Sequence, residues 1–172
     1  PEASTVWFYP ATGILGELQM VNIGVGYTLP FKLIGAPWID ADAFAKQLNA
    51  QHFPGVIFTP INYTPFFGRF AKEECKGVML AITDRATFKP IQTEFLIIGI
   101  LKSMYPEQFA AALESSKTRK EMFIKVTGTE EIYRILAEDK FIVWKLREFQ
   151  KAEREQFSKL RNKYLIAAYS PD

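Results

Sequence analysis

Residues 21–40 read VNIGVGYTLPFKLIGAPWID, and the prediction of the fold begins with this stretch. A strand is predicted at Phe31 to Ala36, an apolar run closed by a proline. Asp40 then stands in the position of a helix N-cap, because apolar residues follow it at helical spacing as far as Ala50. The stretch therefore predicts a loop, a strand and a helix in succession.

The residues before that strand have the composition of a loop that brings backbone close to another group. Gly24 and Gly26 permit a positive φ angle and a close approach of the chain. Polar side chains that could contact a ligand stand around these glycines: Asn22, Tyr27 and Thr28. We predict a binding loop here, although composition alone does not name its ligand.

Size and charge exclude several classes of protein. The 172 residues fit one domain with a sizeable core, and 48% apolar residues are ordinary for a globular protein. The formal net charge of +2, without a basic tail, argues against a nucleic-acid partner. One cysteine and one histidine argue against a zinc site, so no metal or cofactor is expected. The longest apolar run is too short for a transmembrane segment.

The chain alternates strand-like and helix-like segments. Thr5 to Tyr9 is predicted to be a strand because its residues are β-branched and aromatic, and Ala11 to Met20 is predicted to be mostly loop because it holds two glycines. Val56 to Tyr63 is predicted to be an edge strand because it contains a proline. Gly77 to Thr83 is predicted to be a central strand buried on both faces, because nearly all of its residues are apolar.

The second half is predicted to be helical. A helix from Gln92 to Met104 has almost no polar face, which indicates a buried core helix. A short helix is predicted from Thr129 to Glu138 and a long one from Lys140 to Tyr164. The predicted fold class is α+β, with a small mixed β-sheet packed with helices and one long terminal helix.

Few residues fit a known catalytic pattern. The glycines of the loop lack the lysine and serine or threonine of a phosphate loop, and no G-x-S-x-G motif is present. Cys75 is predicted to lie in an exposed turn, without a histidine to activate it. Paired carboxylates stay open as a hydrolytic pair, and Glu17 and Asp84 are the candidates for substrate contact. Asp84 and Arg85 follow a buried strand, a common place for ligand contacts.

Four segments resemble one bacterial family in the same order. They are PFKLIGAPWID from Pro30 to Asp40, Pro54-Gly-Val-x-Phe58, Gly77-Val-x-Leu80 with Thr83-Asp84-Arg85, and Arg161-x-Lys-Tyr-Leu165. The chain resembles, over nearly its whole length, the C-terminal domain of the NamZ-type exo-β-N-acetylmuramidases. This domain was long catalogued only as a bacterial domain of unknown function.

The resemblance implies a two-domain glycoside hydrolase of cell-wall turnover. Such enzymes remove N-acetylmuramic acid from peptidoglycan fragments, and they pair a Rossmann-like N-terminal catalytic domain with a domain like residues 1–172. The resemblance also implies a substrate cleft between the two domains and export to the periplasm or cell envelope. The N-terminal catalytic domain and muramic acid saccharides are then the expected partners. This domain alone is not expected to be an active enzyme, and its sequence identifies no catalytic acid or base.

The glycine-containing loop departs from the family pattern. Ile23 stands where members often have Glu, and Val25 and Leu29 stand where they have Arg. Losing two arginines would weaken recognition of an acidic sugar, because bidentate Arg suits a carboxylate. A non-catalytic glycan-binding or scaffolding module is therefore the alternative hypothesis. The residues predicted to contact substrate are Glu17, Asn22, Gly24, Gly26, Tyr27, Thr28, Asp84 and Arg85.

Overall fold

A computed structural model describes residues 2–166 of the chain. Two 3-10 turns, Lys117–Arg119 and Asn162–Tyr164, accompany the regular elements. In chain order the helices and strands are α1 (Thr5–Leu18), β1 (Leu33–Ala36), α2 (Ala41–Asn49), β2 (Val56–Tyr63), β3 (Cys75–Ile82), α3 (Pro90–Met104), α4 (Pro106–Ser115), α5 (Lys120–Thr127), α6 (Glu130–Glu138), α7 (Ile142–Glu148) and α8 (Lys151–Arg161).

The three strands form one sheet in the order β1-β3-β2. Both pairs are antiparallel, with Gly35 opposite Gly77 and Phe58 opposite Leu80. The predicted central position of β3 and edge position of β2 are confirmed, and the edge position tolerates the missing N–H of Pro60. The α+β class is confirmed, whereas the sheet is antiparallel rather than mixed.

Helix α3 lies in the core, as its apolar sequence predicts. Its buried residues run without interruption from Thr93 to Gly99 and belong with α1, α2 and the sheet to one hydrophobic core. The predicted cap of α2 is also confirmed, because an Asp40 side-chain oxygen accepts a hydrogen bond from the Ala43 N–H at 2.9 Å. The core and the capped helix together fix the position of the loop that precedes β1.

The segment predicted as a strand at Thr5 to Tyr9 and a loop at Ala11 to Met20 is instead the helix α1. Tertiary packing outweighs the β-propensity of these residues, because α1 buries an apolar stripe against α3 and α5. Gly16 aids this packing, since an added Cβ would lie 2.5 Å from the Ile23 side chain. The β-branched and aromatic composition of the first part and the two glycines of the second were therefore the wrong basis for predicting this segment.

The long terminal helix predicted from Lys140 to Tyr164 is divided. Helix α7 ends at Glu148, and Gln150 adopts the left-handed conformation with a φ of 48° before α8 begins. Ile142 and Leu146 are buried, but every residue of α8 is exposed. The sequence pattern that predicted one long helix therefore continues across a break in the backbone.

The prediction that Cys75 lies in an exposed turn is wrong. Cys75 is the first residue of β3 and is fully buried beside Leu33 and Tyr63. Burial, followed by the nearby charge of Glu73, raises the pKa of the Cys75 thiol to about 11. The thiol is therefore protonated near neutral pH and is a structural side chain.

Candidate functional site

The glycine loop, residues 22–30, starts as an extra rung beside the sheet. The Asn22 N–H donates to the Gly35 carbonyl at 2.8 Å, and the Gly35 N–H donates back at 2.9 Å. This exchange extends the outer edge of β1 by one antiparallel bridge. The loop is thereby attached to β1, the strand that lies within the PFKLIGAPWID segment.

The two glycines of the loop are needed where the chain passes close to itself. Gly24 and Gly26 have φ angles of 80° and 89°, a region that favours glycine. A Cβ on Gly24 would lie 2.2 Å from the Leu29 carbonyl oxygen, and one on Gly26 would lie 2.0 Å from that of Phe67. The close approach predicted from composition is therefore made to the loop itself and to the β2–β3 connection.

Asn22 is the hydrogen-bonding centre of this loop. Its side-chain amide donates to the carbonyls of Val25 and Arg69, both at 2.9 Å. Its side-chain oxygen accepts from the Gly24 N–H at 2.7 Å and from the Tyr63 hydroxyl at 3.0 Å. Asn22 is only 2% exposed, and both the nitrogen and the oxygen of its side-chain amide already make hydrogen bonds. The side chain therefore shapes the loop and has no hydrogen-bonding group left for a ligand.

Tyr63 supports this network from β2. Its ring packs against the Tyr27 ring with centroids 5.3 Å apart. Burial, with a smaller effect of Cys75, raises the pKa of the Tyr63 hydroxyl far above its ordinary value. Tyr27 is half-buried with one side against Tyr63, while Thr28 is exposed at the tip of the loop.

A groove of about 300 Å³ separates α1 from the glycine loop. Two of the predicted contact residues, Glu17 and Asn22, line this groove. Tyr9 and Gly13 line it as well and stand four residues apart on the same face of α1 as Glu17. The full lining is Tyr9, Gly13, Gly16, Glu17, Gln19, Val21, Asn22, Ile23, Val25, Phe31, Gly68 and Arg69.

Tyr9, Gly13 and Arg69 are among the groove residues that were not predicted from the sequence. Tyr9 and Gly13 were hidden by the strand and loop assigned to their segment, although their spacing with Glu17 would have placed all three on one helix face. Arg69 enters the groove from the β2–β3 connection, which is distant in sequence. Only knowledge of the sheet register could have brought Arg69 to this position.

Glu17 does not stand alone in the groove wall. The Arg119 side chain donates from Nε to the Glu17 backbone carbonyl at 2.8 Å, and its Nη2 lies 3.4 Å from the Glu17 carboxylate. Arg119 belongs to the 3-10 turn before α5. The Arg119 guanidinium balances the charge of the Glu17 carboxylate at the groove wall. Its bond to the Glu17 carbonyl also holds the end of α1 against the second half of the domain.

Asp84 and Arg85 lie away from this groove, at the opposite end of β3 from the glycine loop. Asp84 accepts hydrogen bonds from the Thr87 hydroxyl at 2.7 Å and the Ala86 N–H at 2.9 Å. These bonds, that of Thr87 first, hold the pKa of the Asp84 carboxyl below its ordinary value. The Arg85 guanidinium lies 5.9 Å from the centre of the Trp7 ring. The eight predicted contact residues therefore do not form one site.

Glu94 in α3 has a buried carboxyl group that was not predicted from the sequence. One of its oxygens accepts the Leu15 N–H at 3.0 Å, and its Oε2 has no hydrogen-bond partner within residues 2–166. Burial raises the pKa of Glu94 to about 8, partly offset by the N–H groups of Leu15 and Ile14. Glu94 is therefore neutral near pH 7 and ties α3 to α1 beneath the groove helix.

Over the described part of the chain, no three His, Cys, Asp or Glu side chains come together as metal ligands would. No helix between residues 2 and 166 has the length and apolar character needed to cross a membrane.

The groove between α1 and the glycine loop is the best-defined concave site that also contains predicted contact residues. Its polar and aromatic wall can hold a small polar molecule with an apolar face.

Comparison with solved structures first defines the class of fold. The chain superimposes with a TM-score of 0.87 and 33% identity on the crystal structure of a DUF1343 family protein from Bacteroides fragilis NCTC 9343. The match covers 96% of this chain and 43% of that one. The α+β arrangement described above is thus the fold of a bacterial domain that occurs within longer proteins.

The sequence comparisons then give the family. The family model described as "Exo-beta-N-acetylmuramidase NamZ, C-terminal" matches residues 7–166, and the chain belongs to this family. It is 34% identical over 166 residues to the peptidoglycan β-N-acetylmuramidase NamZ of Bacillus subtilis (strain 168). That match covers 96% of this chain and 38% of the relative, so the chain spans less than half the length of either relative. The predicted family resemblance is confirmed.

Proposed function

We propose that the chain is the cleft-forming C-terminal domain of an exo-β-N-acetylmuramidase-like glycoside hydrolase. The longer protein would act on peptidoglycan fragments in cell-wall turnover and be exported to the periplasm or cell envelope. The membership of residues 7–166 in the NamZ C-terminal family carries this proposal. The B. subtilis relative, a peptidoglycan β-N-acetylmuramidase, supports the choice of substrate.

The catalytic groups would come from an N-terminal domain of the same protein. The groove between α1 and the glycine loop would supply one wall of the cleft, with Tyr9 and Glu17 on the helix side. An exposed tyrosine ring can stack on a sugar, and the neighbouring Glu17 carboxylate can accept hydrogen bonds from its hydroxyls. Asp84 and Arg85 lie outside this groove and could contact substrate only at a second position along the cleft.

The proposal is tested with the full-length parent protein and a chromogenic N-acetylmuramide. We expect the parent to release the chromophore and this domain alone to release none. A parent that releases nothing, under conditions in which the B. subtilis relative does, would overturn the proposal.

A groove-filling variant tests the role of this domain. Gly13→Leu adds a side chain at a half-buried position of the groove lining, where the three atoms nearest to the added Cβ all belong to the Tyr9 ring, the closest at 3.6 Å. We expect about a tenfold lower kcat/KM, mostly through KM, because ground-state binding is impaired. The matched control is Ala111→Leu on the exposed face of α4, which should leave the kinetics unchanged. Equal kinetics for the two variants would show that the groove is not part of the substrate cleft.

The alternative, a glycan-binding or scaffolding module without catalysis, is favoured by the apolar character of the glycine loop. Ile23 is buried against Gly16, and Val25 packs against the core. These side chains stabilise the loop where a charged group would face a ligand. Titrating the parent with muropeptides separates the two functions, because binding without hydrolysis would support the alternative.

A further inference from the structure

The connection between β2 and β3, residues 64–74, has an unusual backbone. Gly68, Phe70 and Lys72 have φ angles of 83°, 60° and 66°, so the left-handed region recurs at alternate residues. A residue other than glycine held in this region costs on the order of 1 kcal/mol. Two such residues in one short connection show that other contacts hold the strained path.

Those contacts come largely from the glycine loop. The Asn22 side chain binds the Arg69 carbonyl, and the Phe66 N–H donates to the Gly26 carbonyl at 2.7 Å. The connection is also closed on itself, because the Lys72 N–H donates to the Pro65 carbonyl at 2.8 Å. Arg69 therefore stands between two left-handed residues with its own backbone fixed by a buried amide.

Arg69 is the charged residue of the groove lining that has no ion-pair partner within residues 2–166. The charged side chains of the lining are Glu17 and Arg69, and the Glu17 carboxylate already has Arg119 as its partner. No carboxylate of residues 2–166 lies within ion-pair distance of the Arg69 guanidinium, which rests over the Phe70 ring at 4.3 Å from its centre. Stacking on an aromatic ring leaves the edge of a guanidinium open for hydrogen bonds.

The rest of the groove suits a sugar ring. Tyr9 is 52% exposed and is held edge-on against Phe31, with ring centroids 5.1 Å apart. The Tyr9 ring packs over Gly13, where an added Cβ would lie 3.6 Å from it. A groove lined by both an exposed aromatic ring and an arginine without an ion pair matches a saccharide that carries a carboxylate, since the ring can stack and the guanidinium can bind the anion through two parallel hydrogen bonds.

We propose that Arg69 is a specificity-determining residue that binds the carboxylate of an anionic saccharide held in the groove between α1 and the glycine loop. The identity of that saccharide as a muramic acid derivative rests on the proposed function. The strained connection and the Asn22 clamp place the arginine before the ligand arrives. Such preorganisation lowers the entropic cost of binding.

The experiment uses the full-length parent with Arg69→Ala, Arg69→Lys and the matched control Arg134→Ala, which removes an exposed arginine from α6. The substrates are a chromogenic N-acetylmuramide and the same compound with its lactyl carboxylate converted to an amide. We expect Arg69→Ala to lower kcat/KM for the acid by about thirtyfold, chiefly through KM, and for the amide by no more than about twofold. Arg69→Lys should be intermediate because it keeps the charge without the fork.

The control should match the wild type on both substrates. A loss that is equal for the acid and the amide, or no loss at all, would overturn the assignment of Arg69. Thermal midpoints of all variants, compared with the wild type, would show whether a loss arises from unfolding.

A second measurement distinguishes a failure of the proposed function from a failure of the assignment of Arg69. If the wild-type parent hydrolyses neither compound, calorimetric titration with free N-acetylmuramic acid and its amide decides the inference. Preferential binding of the acid that disappears in Arg69→Ala supports it without hydrolysis. Absence of binding to the wild type overturns both proposals.

Discussion

Two polar clusters predicted as parts of one site turn out to be opposite kinds of structure. The cluster around Asn22 is buried, and its hydrogen bonds to Arg69 and Tyr63 join the glycine loop to distant segments of the chain. The cluster around Asp84 is exposed, and its hydrogen bonds stay within one turn. Both contain polar residues next to a strand, so composition cannot distinguish them. Burial decides which cluster supports the fold and which only ends a strand.

The comparison makes a general point about this domain. Polar residues that look suited to a ligand can be used entirely by the protein itself when they are buried. The groove wall instead holds an exposed ring and a guanidinium without an ion pair among residues 2–166, at Tyr9 and Arg69. The glycine loop thus acts mainly as the support that places Arg69.

Gly26→Ala should have the largest effect on stability. The added Cβ would lie 2.0 Å from the Phe67 carbonyl oxygen and 2.9 Å from its carbon, and alanine is strained at a φ of 89°. Because both of these atoms belong to the Phe67 backbone, they cannot move away without breaking the contact between the glycine loop and the β2–β3 connection. We expect a loss of about 4 kcal/mol in the free energy of unfolding, measured by urea denaturation.

Gly128→Ala is the matched control for that variant. Gly128 also has a positive φ, of 73°, but an added Cβ would meet nothing within 4 Å. This control should therefore lose only the conformational penalty, about 1 kcal/mol. Equal losses for the two variants would show that the close approach of the glycine loop to the β2–β3 connection does not matter.

Asn22→Ala should have the next largest effect. The change removes the donors to the Val25 and Arg69 carbonyls and leaves the Gly24 N–H without its acceptor. We expect a loss of about 3 kcal/mol in the free energy of unfolding, because buried polar groups become unsatisfied. Tyr63→Phe removes the hydroxyl that donates to the backbone and side-chain oxygens of Asn22, one shared donor of the same network, and should cost about 1 kcal/mol. A larger loss for Tyr63→Phe than for Asn22→Ala would contradict the central place of the asparagine.

The sequence alone predicts much of the fold but little of the site. The buried strand β3, the edge strand β2, the capped helix α2 and the core helix α3 follow from apolar pattern, proline and capping chemistry. These signals are local, so they survive in any tertiary context. The family match covers residues 7–166 and so includes all of these elements.

The remaining features depend on contacts between distant segments. The helix α1 forms against β-propensity because α3 and α5 cover its apolar stripe. Arg69 and Arg119 reach the groove wall from segments far from Glu17 in sequence, so no spacing rule could place them there. The break at Gln150 likewise lies inside an unbroken helical pattern.

Glu94 extends the comparison to the way buried and exposed carboxyl groups titrate. Its pKa is about 8 in the folded protein and near 4.5 when unfolded, so the folded state binds the proton more tightly. The stability from this group is complete below the unfolded pKa and is lost as the pH rises toward 8. Between about pH 5 and about pH 7 we expect a loss of about 2 kcal/mol in the free energy of unfolding.

Glu94→Gln tests this assignment. Glutamine keeps the acceptor for the Leu15 N–H but does not titrate. Urea unfolding over the same pH range should therefore show the decline for the wild type and a nearly flat profile for the variant. Parallel profiles for both proteins would mean that Glu94 is not the group responsible.

Asp84→Ala should have the smallest effect, and its pH dependence should have the opposite sign. The Asp84 pKa is lowered on folding, so its contribution is present above the unfolded pKa and is lost as the pH falls through the folded value. The stability difference from the wild type should thus be largest at neutral pH and vanish in acid. Because Asp84 is exposed, solvent screens its bonds to Thr87 and Ala86, and the shift in the thermal midpoint should be barely measurable. A loss as large as that of Asn22→Ala would show that the exposed turn supports the fold as much as the buried loop does, which would reverse the distinction between the two clusters.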